Sequence, residues 1–353
     1  FLNKDLNRSY LHYSHLRSSG LIVSNSLVRF LLSISFVPII FLVVNNIFFR
    51  YKERVGTVAI DYLTKSQPYK TLYSELESVG VGALPLPNIY IPAVPSIFLK
   101  DVFIEFRRSP LFVIKNLDFL SAMLIKIFRY YAFFKTNDTK NIIVFQEYSF
   151  YLTYFTRVVE YDDSSLYCIQ HGIPGHTYCH FRFTFFFTWS EFFKEYYICQ
   201  GAEQDQFIVS GSIYHQYLLS RKKKTPSIDI LYVMQGGIPE HGDIVTTLEK
   251  LSNTYRIQVL QHPRYYVEMD SIIQATDKDI ISALLNSSVI LSHYSTALLD
   301  GMTLGLQVIS YIYPSSKEFD CISYLEKEHV ITNANNLEVA LKKLLIQNDT
   351  QIV

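Results

Sequence analysis

Three short clusters in the 353-residue sequence carry side chains that could do chemistry. The first is Gln170-His171-Gly172, which follows the apolar run from Leu166 to Ile169. An imidazole titrates near neutral pH without much tuning, so it suits a general base that activates a hydroxyl. A glycine behind it lets the backbone turn sharply and present the ring to a cleft. A histidine that merely hydrogen-bonds a loop fits the same residues. The second cluster is Gln261-His262-Pro263, directly after "YRIQVL". Proline fixes the backbone and sends the chain away from the strand end, which leaves His262 placed to donate to a phosphate or a ribose, with Arg264 adding charge. The third is Ser295-Thr296, at the opening of a helix that begins near Ala297. A serine or threonine there caps the helix, and a helix N-terminus also attracts anions. Capping alone accounts for these two residues without any function.

Other candidates are weaker. His171, His176, Cys179 and His180 lie close in sequence, but their spacing matches no zinc pattern, so no metal site is expected. Asp162-Asp163 reads as a solvated turn rather than a metal-binding acidic pair. The four cysteines form no CxxC pair, which points to a reducing compartment.

The elements that must hold these clusters alternate regularly. "NIIVF" (Asn141 to Phe145), "SLYCIQ", "FTFFFTWS" and "QFIVSGS" read as strands. Between them "SFYLTYFTRVVEY" and "EFFKEYYICQG" read as helices, the second closed by Gly201. Upstream, "VGTVAIDYL" reads as a short buried strand and "PYKTLYSELESVG" as a helix. "SAMLIKIFRYYAFFK" (Ser121 to Lys135) reads as a core helix whose cations reach water, with a membrane-facing helix as the alternative. The charged, proline-punctuated run "SRKKKTPS" (Ser220 to Ser227) reads as a linker. The pattern then restarts: "DILYVMQGG" carries a strand into a glycine turn at Gly236, and three further strands alternate with helices up to the closing helix "NLEVALKKLLIQ". Strands separated by helices of about ten residues imply parallel sheets. The expected fold is therefore α/β with two Rossmann-like domains, at 51–222 and 227–345. Residues 1–50 form a separate helical or apolar N-terminal segment, with membrane association as an alternative, although residues 1–26 show no clear periodicity. Ligands of such sheets bind beyond the carboxyl ends of the strands, where all three clusters fall.

Formal charge is zero, from 32 basic and 32 acidic side chains, which argues against a nucleic-acid partner. The run "FLLSISFVPIIFLVV" (Phe30 to Val44) is shorter than the roughly 18–20 residues that a membrane span needs, and Pro38 interrupts it. It reads as a buried helix leading into a core strand, with a membrane span as the alternative. The sequence begins at Phe1 with no methionine, so the lack of a signal peptide is uninformative.

In order, "CIQHGIPG", "FFFTWSEFFKEYYICQGAEQDQFIVSGSIYHQYL", "VLQHPR" and "LNSSVILSHYSTALLDGMTLGLQVISY" resemble bacterial surface-polysaccharide transferases of GT-B fold. The relatives in mind are CDP-glycerol glycerophosphotransferases and capsular polysialyl- and Kdo-transferases. Trp189, Ser190, Glu191, Gly201, Val209, Gly211 and Ser212 match one of their segments, and the resemblance runs from about Asn141 to Tyr311. It implies two domains facing each other across a cleft, with His171 as base or acceptor-site residue. It also implies that His262, Pro263, Ser295, Thr296 and Gly236 lie around the donor's phosphates. Two departures stand out. His293 and Thr296 replace the aspartate and second serine of an aspartate-tyrosine-serine-serine motif. The acidic base motif of the sialyltransferases has no clean copy, and Glu147, just past "NIIVF", is the nearest candidate. The base is thus either His171 or Glu147.

The expected function is metal-independent and cofactor-free transfer of a sugar or polyol phosphate to a glycan or glycolipid acceptor. The donor is a nucleotide-sugar or nucleotide-polyol, with cytidine nucleotides favoured. The expected place is cytoplasmic, or peripheral at the inner face of the plasma membrane. A nucleotide-sugar 2-epimerase and a noncatalytic glycan-binding protein are the alternatives.

Overall fold

The computed structural model describes residues 3–18, 57–59, 82–83, 95–136, 140–145, 147, 149–174, 181–221, 225–235, 242–261, 274–275, 279–312, 324–326 and 329–351. The segment Phe30 to Val44, the helix expected over 68–80, His176, Cys179, His180, Gly236, His262, Pro263 and Arg264 lie outside the described residues.

The chain is α/β with two parallel sheets, as its alternating pattern implied. It divides into two compact units: Phe1–His171 with Thr177–Gly211, and Gly172–His176 with Ser212–Val353. The division near Ser212 falls earlier than the linker expected at 222–227. Ser212 is a helix cap rather than linker: its Oγ accepts the His215 N–H at 3.2 Å.

The first unit holds a six-stranded parallel sheet in the order β2-β1-β3-β4-β5-β6. Its strands are β1 (Thr57–Ala59), β2 (Gly82–Ala83), β3 (Asn141–Val144), β4 (Ser165–Ile169), β5 (Phe185–Thr188) and β6 (Phe207–Val209). Burial alternates along β3 and β4, the period-two signature of a strand. Before the sheet's main part come α1 (Lys4–Ser18), α2 (Ser96–Arg108), α3 (Pro110–Lys115) and α4 (Leu117–Thr136). The helix α4 buries Phe119, Met123, Leu124, Ile127 and Phe134, so the core reading of this segment holds. Helices α5 (Leu152–Tyr161) and α6 (Glu191–Cys199) complete the unit. Asp162 and Asp163 form the turn after α5, Asp163 with φ 55° and a fully exposed side chain, as expected of a solvated turn.

The helix α1 was not expected from periodicity, and its partners explain why. It packs against α5, and ionic and amide contacts tie it to α2 and to Glu203 ahead of β6. Asn3 Nδ2 donates to Asp101 at 3.1 Å, the Asn3 N–H donates to Glu105 at 3.0 Å, and Arg8 pairs with Glu203 at 2.6 Å. Asp101 also accepts from Tyr154 at 2.7 Å and from Arg157 at 3.0 Å.

In the second unit the sheet order is β12-β11-β10-β7-β8-β9, again all parallel. The strands are β7 (Ile228–Val233), β8 (Ile257–Leu260), β9 (Gln274–Ala275), β10 (Ser287–Ser292), β11 (Gln307–Tyr311) and β12 (Val330–Ile331). Central strands β7 and β10 are buried at nearly every position, as expected where helices cover both faces. The helices are α7 (Ile213–Ser220), α8 (Gly242–Ser252), α9 (Ile280–Leu285), α10 (Thr296–Thr303) and α11 (Ala334–Gln351). At Gly301 in α10 an added Cβ would lie 3.0 Å from both Ile290 and Val308 of the sheet. The glycine therefore sets how closely α10 approaches β10 and β11. Gly301→Val is expected to lower stability by about 1–3 kcal/mol through overpacking, measured by urea denaturation.

Candidate active site

In the first unit the site grows from the carboxyl ends of β3 and β4, which pair in register. β3 ends at Val144, and Glu147 follows within one turn of chain with its side chain fully buried. β4 ends at Ile169, and Gln170 extends its pairing, its N–H donating to the Phe187 carbonyl at 3.0 Å. The Gln170 side chain is buried, and its Oε1 accepts the Trp189 N–H at 3.0 Å. That bond ties the end of β4 to the end of β5 and leaves His171 at the rim, 27% exposed.

The two alternatives for the base are thereby brought together. His171 Nδ1 lies 2.7 Å from Glu147 Oε2, and the Tyr197 hydroxyl donates to Glu147 Oε1 at 3.2 Å. A buried carboxylate is costly unless it is hydrogen-bonded; here each oxygen has a partner. A carboxylate facing Nδ1 selects the Nδ1–H tautomer, so Nε2 carries the basic lone pair. It also stabilises the imidazolium that forms when Nε2 takes a proton. The arrangement can orient and strengthen a general base.

Tyr197 was not singled out in the sequence. It sits on α6 with Phe193 four residues earlier on the same buried face, a spacing that announces a core position but not a phenol aimed at Glu147. The segment that carries the family resemblance also has structural work to do. Ser190 caps α6 by accepting the Phe193 N–H at 3.4 Å. Gly201 and Gly211 take φ of 101° and 76°, which glycine adopts without strain.

In the second unit Ser295 is the N-cap of α10, its Oγ accepting the Ala297 N–H at 3.2 Å. Thr296 Oγ1 accepts the N–H of Ile173 at 3.2 Å. The Cβ of any other residue at Gly172 would lie 3.2 Å from that same oxygen, so Gly172 permits the close approach. Both hydroxyls accept here, and each carries an O–H that can donate to an anion.

Two acid–base groups behind this helix end were not anticipated. Asp300, one turn beyond Thr296 and buried, receives His215 Nε2 at 3.0 Å and the Tyr214 hydroxyl at 3.3 Å, both from α7. Burial pushes the Asp300 carboxyl above its ordinary value, against the opposing pull of His215 and Tyr214. The trio fixes α10 to α7. His293, which departs from the family motif, is 1% exposed. Its Nδ1 donates to the Tyr311 carbonyl at 2.7 Å, and its Nε2 accepts from the Tyr232 hydroxyl at 3.2 Å. It joins β10 to β11 and β7 as a core residue.

No protein-family model and no curated protein matches the sequence. Among solved structures, a UDP-N-acetylglucosamine 2-epimerase is similar with a TM-score of 0.51 at 12% identity, covering 84% of this chain and 89% of that one. The wall teichoic acid polymerase TagF aligns with a TM-score of 0.48 at 11% identity, over 84% and 82% of the two chains. The UDP-GlcNAc 2-epimerase from Methanocaldococcus jannaschii also gives 0.48, at 10% identity, over 82% of this chain and 92% of the other. At these identities the likeness concerns the fold alone, and the last two carry no argument. Two Rossmann-like units on parallel sheets make the fold of this chain GT-B-like.

Proposed function

We propose that the protein is a transferase that moves a sugar or polyol phosphate from a nucleotide-activated donor to a hydroxyl of a glycan or glycolipid. The observation that carries this reading is the 2.7 Å contact between buried Glu147 and His171 beyond two adjacent parallel strands. In the proposed reaction Nε2 of His171 accepts the proton of the acceptor hydroxyl as the oxygen attacks the donor. The bond from the transferred group to the nucleotide's phosphate breaks, and the phosphate keeps the electron pair. Stabilising that leaving group falls to the Ser295–Thr296 end of α10 and, on the sequence resemblance, to His262, Pro263 and Gly236. The chemistry needs a base and an electrostatic partner for the leaving group, and these residue types supply both.

A thermal-shift screen against CMP, CDP, UDP and GDP tests the donor side, because a nucleotide that binds the folded state raises the melting temperature. One nucleotide class is expected to raise it, and cytidine nucleotides are favoured by the sequence resemblance. His262→Ala is expected to weaken that shift and raise KM for the donor with little change in kcat. No shift with any of the four would contradict a nucleotide donor. A 2-epimerase of the same fold makes a different prediction: it converts UDP-N-acetylglucosamine with no acceptor present.

A further inference from the structure

Helices α2 and α3 meet at a bend around Ser109 and Pro110, and the outer side of this corner is unusual in both polarity and charge. Phe103, Phe106, Leu111 and Ile114 are 60%, 45%, 71% and 53% exposed. Isolated exposed apolar side chains are ordinary, but four large ones within twelve positions of one helical corner form a patch. Lys100, Phe103, Phe106 and Arg107 share the outward face of α2 by their spacing, opposite buried Phe98, Asp101, Val102 and Glu105. The guanidinium of Arg107 lies 5.9 Å from the centroid of the Phe103 ring.

The charges are sorted by sign. Between 96 and 126 the acidic residues are Asp101, Glu105 and Asp118, and all three are buried. Asp101 and Glu105 are held by Arg157 and by residues around α1, and Asp118 lies 3.6 Å from Arg17. Lys100, Arg107, Arg108 and Lys115 are all exposed. The outer face of the corner is therefore apolar and basic, and no acid of residues 96–126 is exposed along it.

We propose that this corner docks on an anionic membrane surface, with Phe106 and Leu111 entering the interface and the four cations facing lipid headgroups. Amphipathic helices with large apolar residues on one side and Lys and Arg around them bind in this way. Each cation near an anionic leaflet adds to the attraction, and salt weakens it. The contact proposed is interfacial; among the described residues no helix is long and apolar enough to cross a membrane. Charge favours lipid over a second copy of the chain. A two-fold contact through this face would set four cations against the same four.

The test is co-sedimentation of the full chain with vesicles of phosphatidylcholine, with and without phosphatidylglycerol, in the absence of any sugar donor. Its outcome is thus independent of transfer activity. Partition is expected to require phosphatidylglycerol and to fall with added salt. Arg107→Glu with Arg108→Glu should reduce it roughly 25-fold or more, and Phe106→Ser with Leu111→Ser should also abolish pelleting. Melting temperatures should stay unchanged, because all four side chains are exposed. Equal partition with and without phosphatidylglycerol, or none at all, would overturn the proposal. So would a lipid-free dimer that these substitutions dissociate, which would assign the face to self-association.

Discussion

Replacing His171 with alanine is expected to lower turnover by about 10²–10⁴-fold, the usual contribution of a positioned general base. KM for the donor should barely change, because the donor's phosphates are assigned to other residues. Glu147→Gln should reach a similar loss by another route. The amide carries no charge to stabilise an imidazolium, and if it turns its NH2 toward Nδ1 it selects the tautomer that cannot take a proton at Nε2. The double variant should be little worse than either single one, since residues that act as a unit are not additive. Tyr197→Phe leaves one carboxylate oxygen without its hydroxyl partner and should cost about 1–3 kcal/mol of stability, with a smaller effect on turnover. Steady-state kinetics with varied donor and acceptor separates these outcomes. Equal changes in kcat and donor KM for His171→Ala would contradict the assignment.

Acidification is expected to destabilise the first unit through a residue remote from catalysis. His12 on α1 is 1% exposed, and burial, with His15 as a lesser cause, lowers its pKa to about 3 from its ordinary 6.5. Its folded pKa is therefore below its unfolded one. The stability it contributes is fully present above about 6.5 and is lost as the pH falls, because the unfolded chain binds a proton that the folded chain refuses. The loss should reach about 2–3 kcal/mol near pH 4.5. Glu203, held at about 2 by Arg8 and Lys4, has a depressed pKa and adds its own loss only below about 4.5. Asp5 on the same helix is raised above its ordinary value by burial and acts in the opposite sense as the pH falls. The difference between wild type and a His12 variant over the interval between 6.5 and 4.5, not the wild-type slope alone, therefore isolates the imidazole. The single tryptophan, Trp189, lies in this unit, so its fluorescence in urea titrations reads the correct unit. His12→Gln should flatten the slope over that interval. An unchanged slope would show that the imidazole is not the group responsible.

How much could be read from the sequence follows from the kind of force that places each residue. His171 was legible because a strand that runs into His-Gly announces its own carboxyl end. Glu147 was named only as the acid nearest to a base motif of the resembled family, just past the preceding strand. Their contact was not, because it depends on β3 and β4 being neighbours in register, which the chain pattern allows but does not specify. Tyr197 was illegible: it looks like any aromatic on a buried helix face, and only the sheet order aims its hydroxyl at Glu147. Ser295 as a cap was read correctly from residue type alone. The helix α1 falls in a segment expected to be helical or apolar but shows no clear periodicity, because residues such as Asn3, Arg8 and Asp5 tie it to its unit and amphipathic periodicity does not register such contacts. The charged, proline-punctuated run at 220–227 suggested a linker, whereas the chain divides into its compact units at Gly211 and Ser212, which look like ordinary turn residues. His293 stood out as a departure from a motif, but burial between β7, β10 and β11 explains it.

The most direct measurement follows donor consumption and product formation by NMR, for wild type and His171→Ala, with cytidine- and uridine-activated donors and a glycan acceptor. The account predicts acceptor-dependent release of the nucleotide from one donor class by the wild type. It further predicts loss of that release in the variant at a temperature where the variant is still folded, the Glu147 oxygen left without its imidazole partner costing some stability. Conversion of UDP-N-acetylglucosamine without an acceptor, or release that the variant retains in full, would contradict it.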